Sequence, residues 1–436
     1  MREKLRLRVP NRRQLQLVSQ DLESTVSRDH MVRTVWTVAE HVDLGEILSK
    51  IRVTEGTAGR DATDPRLLFA LWLYATIRGV GSARELNRLC TESAPYRWLC
   101  GGISMNYHTL ADFRVKHGKS LDAIFTRVIA SLVEKQVVTV KRISQDGTRV
   151  RASAGSSSFR RKVGLQEALK EACEQVETLK RRIEDPAKSG GMSQRQNARR
   201  LRAAKRREQK VKAALAQIPE MEKRQEKLKE SLTAKQKEKL EKQRQPRAST
   251  TDSDARKMKM SDGGTRPAMN FQFAVDTESR AIVGVDVINL GVDTNQLAPM
   301  REQVEERTGL KVEEHLADGG YLTIQDVKLA DSQGVDLFVP PKPRRKPELY
   351  GDEFTPKKGE SKAESKWRKR MGSKKGKKIY LERASTVETV NADLKTYRGL
   401  EQLKVRGLKK ARCIGLWAAM AYNVFHFAHH FAGGFA

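Results

Sequence analysis

Near the C-terminal end of the chain, Tyr380, Arg383, Glu388 and Lys395 follow the spacing Tyr-x2-Arg-x4-Glu-x6-Lys. On a helix, Glu388 and Lys395 are two turns apart and share one face. A carboxylate able to bind metal, beside cations able to grip phosphate, is the equipment of phosphodiester chemistry. Two more carboxylates have matching settings upstream: Asp146 before Gly147, and Asp318 before Gly319-Gly320, each closing a β-rich run. Three carboxylates converging outside strand ends could hold two divalent ions, one activating a water or hydroxyl and one stabilising the leaving oxygen. Mg²⁺ is the expected metal, with Mn²⁺ as its substitute, because hard oxygen ligands suit it. Each residue also has a plainer reading. Asp146-Gly147 fits a turn, Asp318-Gly-Gly a loop, and Ser385-Thr-Val-Glu388 a capping box at a helix start. Taken together, on the strand order that follows, they favour the chemical reading.

The elements that must position them come in two styles. Residues 1–130 read as all-helical: Asp64 is placed to cap and Pro65 to open a helix through Arg78, and Ser82 to Glu85 fits a capping box for the next. Short helices joined by glycine turns suit a helix-turn-helix unit with Tyr107–Lys116 as its recognition helix; an ordinary bundle is the alternative. From Val137 the chain is β-rich up to Asp146, and Gly147 is expected to turn it into a second run ending at Ala152. Residues 161–247 are highly charged, with sparse apolar stripes (Leu165, Leu169, Val176, Leu179; then Val211, Leu215, Ile218) on either side of Pro186–Met192. That predicts an antiparallel helical hairpin, either a solvated spacer or an arm that tracks phosphates. Without that segment the order is strand, hairpin strands at 270–276 and 281–288, helix, strand, helix, strand, helix. Pro340–Lys378 reads as a basic loop, and Ala411–His430 as a closing helix that packs on the core, with Trp72 and Trp417 as core residues. Trp367, in basic surroundings, is a candidate base contact.

With 84 Lys+Arg against 54 Asp+Glu, the 436-residue chain has a formal net charge of +30 and favours a polyanionic partner. The basic N-terminus has no apolar core of a signal peptide, and the apolar run at Cys413–Val424 is too short to span a bilayer. Cys90, Cys100, Cys173 and Cys413 are scattered without zinc spacing, as expected of a reduced cytosolic protein with buried thiols.

Four stretches in order, Asp146-Gly-Thr-Arg-Val-Arg-Ala, Ser249-Thr-Thr-Asp-Ser-Asp-Ala-Arg256, Asp318-Gly-Gly-Tyr321 and the Tyr380–Lys395 signature, resemble DDE transposases of bacterial insertion sequences, in the IS4/IS5 superfamily and its IS1182-like group. The stretch from Asp64-Pro-Arg to Phe113-Arg114 resembles the N-terminal domain common there. The resemblance implies an α/β RNase H-like catalytic domain, a mixed sheet flanked by helices. Its parts are 131–160 and 248–436, interrupted by the hairpin at 161–247 and preceded by an all-α DNA-binding domain at 1–130. It implies the triad Asp146, Asp318 and Glu388 as metal ligands, and Tyr380, Arg383 and Lys395 as contacts to double-stranded transposon-end DNA. It also implies at least a homodimer on DNA, and a bacterial cytoplasmic, nucleoid-associated location. A catalytically silent or architectural DNA-binding protein is the alternative. One departure matters: the common signature has three residues between Arg and Glu, and this chain has four. On a regular helix the extra residue rotates Arg383 by about 100° from its place.

Overall fold

The computed structural model describes residues 19–54, 61–184, 193–230, 245–344 and 347–431, with Arg13 and Ala58; the Pro186–Met192 turn and the first ten residues of the chain lie outside them. The first third is helical: Met31–His41, Pro65–Ile77, Ala83–Glu92, Ala94–Cys100, Tyr107–Lys116 and Gly118–Glu134. The Asp64 carboxylate accepts the Arg66 N–H at 2.8 Å ahead of Pro65, so this helix starts where its cap dictates. Every residue of Leu67–Ile77 is buried, as an all-round apolar helix requires. Tyr107–Lys116 exposes His108, Thr109, Asp112 and Lys116. Its Arg114 turns inward instead, 4.3 Å over the Trp72 ring, where burial lowers its pKa to about 10.

The strands are β1 (Arg142–Arg151), β2 (Phe159–Arg160), β3 (Ala248–Ser249), β4 (Arg256–Lys259), β5 (Thr265–Asp276), β6 (Ile282–Ile288), β7 (Glu314–Ala317) and β8 (Asp336–Phe338). β5 runs antiparallel beside β1 from Ile143↔Asp276 to Arg151↔Ala268, and β4 and β6 share its far edge. On the other side of β1, β7 and then β8 are parallel to it. The sheet is mixed, and its strands and helices come in the expected order.

The closing helix Leu408–His426 joins the two halves of the chain. Trp417 is fully buried, 5.2 Å from Phe69, and its indole N–H donates to Arg114 O at 3.1 Å. Asn423, which interrupts the apolar run, bonds the Ile282 N–H and C=O at 2.9 and 2.8 Å and so satisfies a backbone pair of β6. One hydrophobic core accordingly runs from Val32 through Trp72 to Phe273 and Val424. A second tie is a backbone approach: Gly79 and Gly399, both at positive φ, face each other, and a Cβ on either would come within 2.9 Å of a carbonyl oxygen. Arg398 adds a 2.6 Å bond to Ile77 O.

Three expectations fail. Residues 340–378 are not a loop throughout: Ser361 and Glu364 form a capping box that opens Lys362–Gly372, and Lys374–Arg383 follows. Lysines on the solvent side disguise an apolar stripe of Trp367, Met371 and Ile379. Trp367 is therefore no base contact: it is 2% exposed, and its N–H donates to Val339 O at 3.0 Å. Nor does β1 turn at Gly147; it runs straight through, with Asp146 in mid-strand. Of the cysteines, Cys90, Cys100 and Cys413 are buried thiols and Cys173 is half-buried.

Lys162–Glu184 packs antiparallel against Gln194–Ala216: Leu165 and Ala168 meet Val211 and Ala214 near the sheet, and Val176 and Leu179 meet Ala204 farther out. The short β2–β3 ladder lies at their root. Among the described residues no helix is long and apolar enough to cross a membrane.

Candidate active site

Sheet register brings two of the carboxylates together. Gln145↔Ala317 is the last pair of the parallel β1–β7 ladder, so Asp146 and Asp318 come next on neighbouring strands, roughly 5 Å apart in backbone spacing. Asp318 is exposed and Asp146 half-buried.

Gly147 is needed by what packs against it. Asn270 and Gln272 from β5 donate to Asp293 Oδ1 at 2.6 and 2.7 Å, Gln145 donates to Gln272 Oε1 at 3.1 Å, and the buried Tyr321 hydroxyl donates to the same oxygen at 2.5 Å. A Cβ on Gly147 would lie 2.5 Å from both Asp293 Oδ1 and Gln272 Nε2. The Asp-Gly pair thus serves a buried amide network rather than a turn. Gly147→Ala is expected to destabilise by about 2–3 kcal/mol, through overpacking and broken buried hydrogen bonds. A denaturant midpoint matching wild type would show that the network is not rigid there.

Glu388 arrives on a helix that runs unbroken from Lys374 to Thr396, with one π-helical turn at Ala384–Glu388. The capping-box reading of Ser385 fails, because no helix starts there; its hydroxyl bonds Glu382 O at 3.1 Å. The π turn absorbs the extra residue of the signature. It places i and i+5 on one face, so Arg383 lies beside Glu388 and not a third of a turn away. Arg383 Nη2 donates to Glu388 Oε1 at 2.5 Å, Nη1 stands 3.6 Å from Asp146 Oδ1, and the guanidinium is 6.0 Å from the Tyr380 ring centroid.

The electrostatics link all six residues singled out in the sequence. Burial raises the Asp146 pKa to about 6, with Glu388 adding to the rise; Arg383 and a 3.0 Å bond from Asn391 Nδ2 oppose it. Burial pulls against the charge of Arg383, but Asp146, Tyr380, Glu388 and Asp318 outweigh it and raise its pKa. Burial raises Tyr380, with Arg383 opposing and Asp318 and Glu388 adding. Burial lowers Lys395, and Asp146 partly restores it. The sequence reading missed Asn391, whose place three residues after Glu388 and four before Lys395 puts it on their face, and the β5 amides.

The sign of the Asp146 shift sets a pH dependence. The unfolded chain gives up this proton near pH 4 and the folded one near pH 6, so stability drops as pH rises through that window and stays lower above it. At pH 8 the penalty approaches about 3 kcal/mol. Asp146→Asn removes it and is expected to melt a few degrees above wild type at pH 8, the gap closing toward pH 4. Calorimetry at the two pH values checks this; a variant that melts lower at pH 8 would exclude a burial penalty at this carboxyl.

Among the described residues no three His, Cys, Asp or Glu side chains are grouped closely enough to form a ready metal cage. Glu388 is turned to Arg383, which takes the cation's part between it and Asp146. Asp146 on β1, Glu388 on the helix and Asp318 just past β7 offer carboxylate oxygens of the kind a hard divalent ion takes. The Ser249–Arg256 motif has a different task. Both Asp252 carboxylate oxygens accept the Gly407 N–H at 3.2 Å, and Asp254 accepts the Leu408 N–H at 2.8 Å, capping the closing helix.

A family model described as Transposase DDE domain matches residues 236–424, and one described as Transposase domain (DUF772) matches residues 20–116. No curated protein and no solved structure matches the chain. Asp318 and the whole Tyr380–Lys395 signature fall within the first match, but Asp146 lies between the two. What joins Asp146 to the others is strand register and its contacts with Arg383 and Asn391. A DDE domain implies an RNase H-like fold, and the mixed sheet with its flanking helices has that character. Two transposase domains in series identify the chain as a DDE transposase family member of the IS1182-like group, a family that acts on DNA with divalent metal ions.

Proposed function

We propose that this chain binds the ends of its insertion sequence, cuts the strand with water to leave a 3′-hydroxyl, and joins that hydroxyl to target DNA without a covalent protein–DNA intermediate. The observation that carries the reading is Arg383 standing between Asp146 and Glu388, with Asp318 following the last β1–β7 register pair on the strand beside Asp146. In this reading the three carboxylates hold two Mg²⁺ ions, with Mn²⁺ able to replace them. Such ions supply an activated nucleophile and charge compensation at the leaving oxygen. Asn391 fixes one Asp146 oxygen, and the other, which faces Arg383, would become a metal ligand once that guanidinium moves away. Arg383 releases Glu388 and, with Tyr380 and Lys395, grips the phosphates flanking the cut. The protein's contribution is positioning and charge.

The division of labour follows. Residues 1–130 bind DNA, with Tyr107–Lys116 offering its exposed face. Residues 131–160 and 248–436 form the catalytic domain, and 161–247 a helical hairpin inserted in it. Because both ends must be joined together, the active form is at least a dimer on DNA, working at the bacterial nucleoid.

The test is cleavage of labelled DNA carrying the sequences that flank this gene, with Mg²⁺ or Mn²⁺. Cuts at defined ends support the proposal. Tight binding without cuts in either metal overturns it in favour of a DNA-binding relic.

A further inference from the structure

Gln194–Ala216 carries nine Lys or Arg against one Glu, whereas its partner Lys162–Glu184 carries five of each sign. A helix needing charge only for solubility mixes its signs, as the partner does. Arg199, Arg202, Arg206 and Lys210 instead recur at steps of three, four and four residues and form one exposed stripe. Each neighbouring pair in it is like-charged and works against the helix. Relief from across the pair is slight: Arg207 meets Glu171 at 3.2 Å, while the four stripe residues and Arg160 have no ion pair among the described residues.

These cations line one cleft of about 600 Å³ between the basic helix and the β2–β3 ladder, with Arg160 and Thr250 forming its other wall. From Arg199 to Lys210 the stripe covers about 16 Å of helix, far longer than one phosphate. A stripe of that length faces several phosphates of a duplex, whose strands each carry one charge per about 3.4 Å of axis. The apolar lining of the cleft is Ala168, Ala203 and Val211, of which Ala168 and Val211 are buried between the two helices, so no bulky apolar side chain is offered to a bilayer.

We infer that this arginine-lined cleft is a second, sequence-independent docking site for the duplex DNA backbone, separate from the carboxylate site. The inference rests on the transposase reading. It gives the paired helices a function: they hold a length of duplex by its phosphates while the carboxylates act elsewhere on DNA. Thr250 lies in the Ser249–Arg256 motif, whose Asp252 and Asp254 cap the closing helix, so the cleft is anchored to the catalytic core.

The experiment uses the full chain and a labelled random-sequence duplex, with affinity followed by fluorescence anisotropy between about 50 and 200 mM salt. The triple variant Arg199→Gln, Arg202→Gln, Arg206→Gln is expected to lower the slope of log K against log salt by about 3, for three lost phosphate contacts. The triple Lys variant at the same positions keeps the charge and is expected to keep the slope. If wild type binds steeply and the Gln variant matches it, the cleft does not hold DNA. If both triple variants lose the slope alike, charge is not what the cleft contributes, and the inference again fails. If wild type binds no duplex at all, it is the transposase reading that falls.

Discussion

Glu388→Gln and Asp146→Asn are each expected to lower strand cleavage by roughly 10³-fold or more, about 4 kcal/mol of transition-state stabilisation, while duplex affinity stays within a few-fold of wild type. The changes are nearly isosteric, so packing is kept. The amide put in place of the Glu388 carboxylate would still accept from the Arg383 guanidinium, and the one in place of the Asp146 carboxylate could still present an oxygen to Asn391. What is lost is the negative charge that a hard cation requires. Binding is spared because an anion next to a phosphodiester repels it, so its removal works if anything in favour of affinity. The two substitutions should also resemble each other in effect, since ligands of one site act as a unit and fail as a unit. Asp146→Asn adds a signature that Glu388→Gln lacks: a variant more stable than wild type at pH 8 and yet inactive. A buried carboxylate kept at the expense of stability belongs to function rather than folding. Cleavage at saturating protein, beside anisotropy on the same DNA, gives the answer. Retention of a tenth of the activity by either variant would remove that carboxylate from the site.

Local chemistry made part of this legible in the sequence. The Asp64 cap, Pro65 and the β5–β6 hairpin are read correctly because their signals lie within a few residues of the structures they form. Motif spacing places Tyr380, Arg383, Glu388 and Lys395 on one continuous helix, while Asp146 comes from the middle of β1 and Asp318 from just past the end of β7. The misreadings share one cause, tertiary contacts overriding a local signal. Asp-Gly is a turn dipeptide, but Gly147 stays extended to make room for Gln272 and Asp293, residues well over a hundred positions away. The lysines of 362–378 hide a helix whose apolar stripe has meaning only beside Val339 and Leu337. Pairing register, which sets Asp146 beside Asp318, has no trace in either segment alone. The π turn is invisible for the same reason: Ala384-Ser-Thr-Val-Glu388 contains nothing that marks one, and only the contacts of Arg383 on one side and Asn391 on the other demand it.

That turn makes a prediction about length rather than identity. Removing Ser385 from the π turn is expected to leave a regular α-helix with both flanks on their present faces, because a π turn is one residue inserted into an α-helix. Arg383 and Glu388 would then stand four apart, still neighbours. Ser385 is exposed and bonds only Glu382 O, so melting within a few degrees of wild type and cleavage within about tenfold are expected. Removing Ala392, equally exposed but in the regular helix, should behave quite differently. Every residue beyond it turns by about 100° relative to Glu388. Leu394 leaves the core at a cost of about 2–5 kcal/mol, Lys395 swings away from Asp146, and the Arg398 bond to Ile77 O and the Gly79–Gly399 approach come out of register. Large loss of stability and of cleavage is expected from this deletion alone. Equal damage from the two would mean that the fourth residue between Arg383 and Glu388 is not absorbed locally. A tolerant Ser385 deletion beside an intolerant Ala392 deletion would show instead that the helix carries its extra residue as a removable bulge, with the spacing of catalytic side chains in space, not along the chain, as the quantity held fixed.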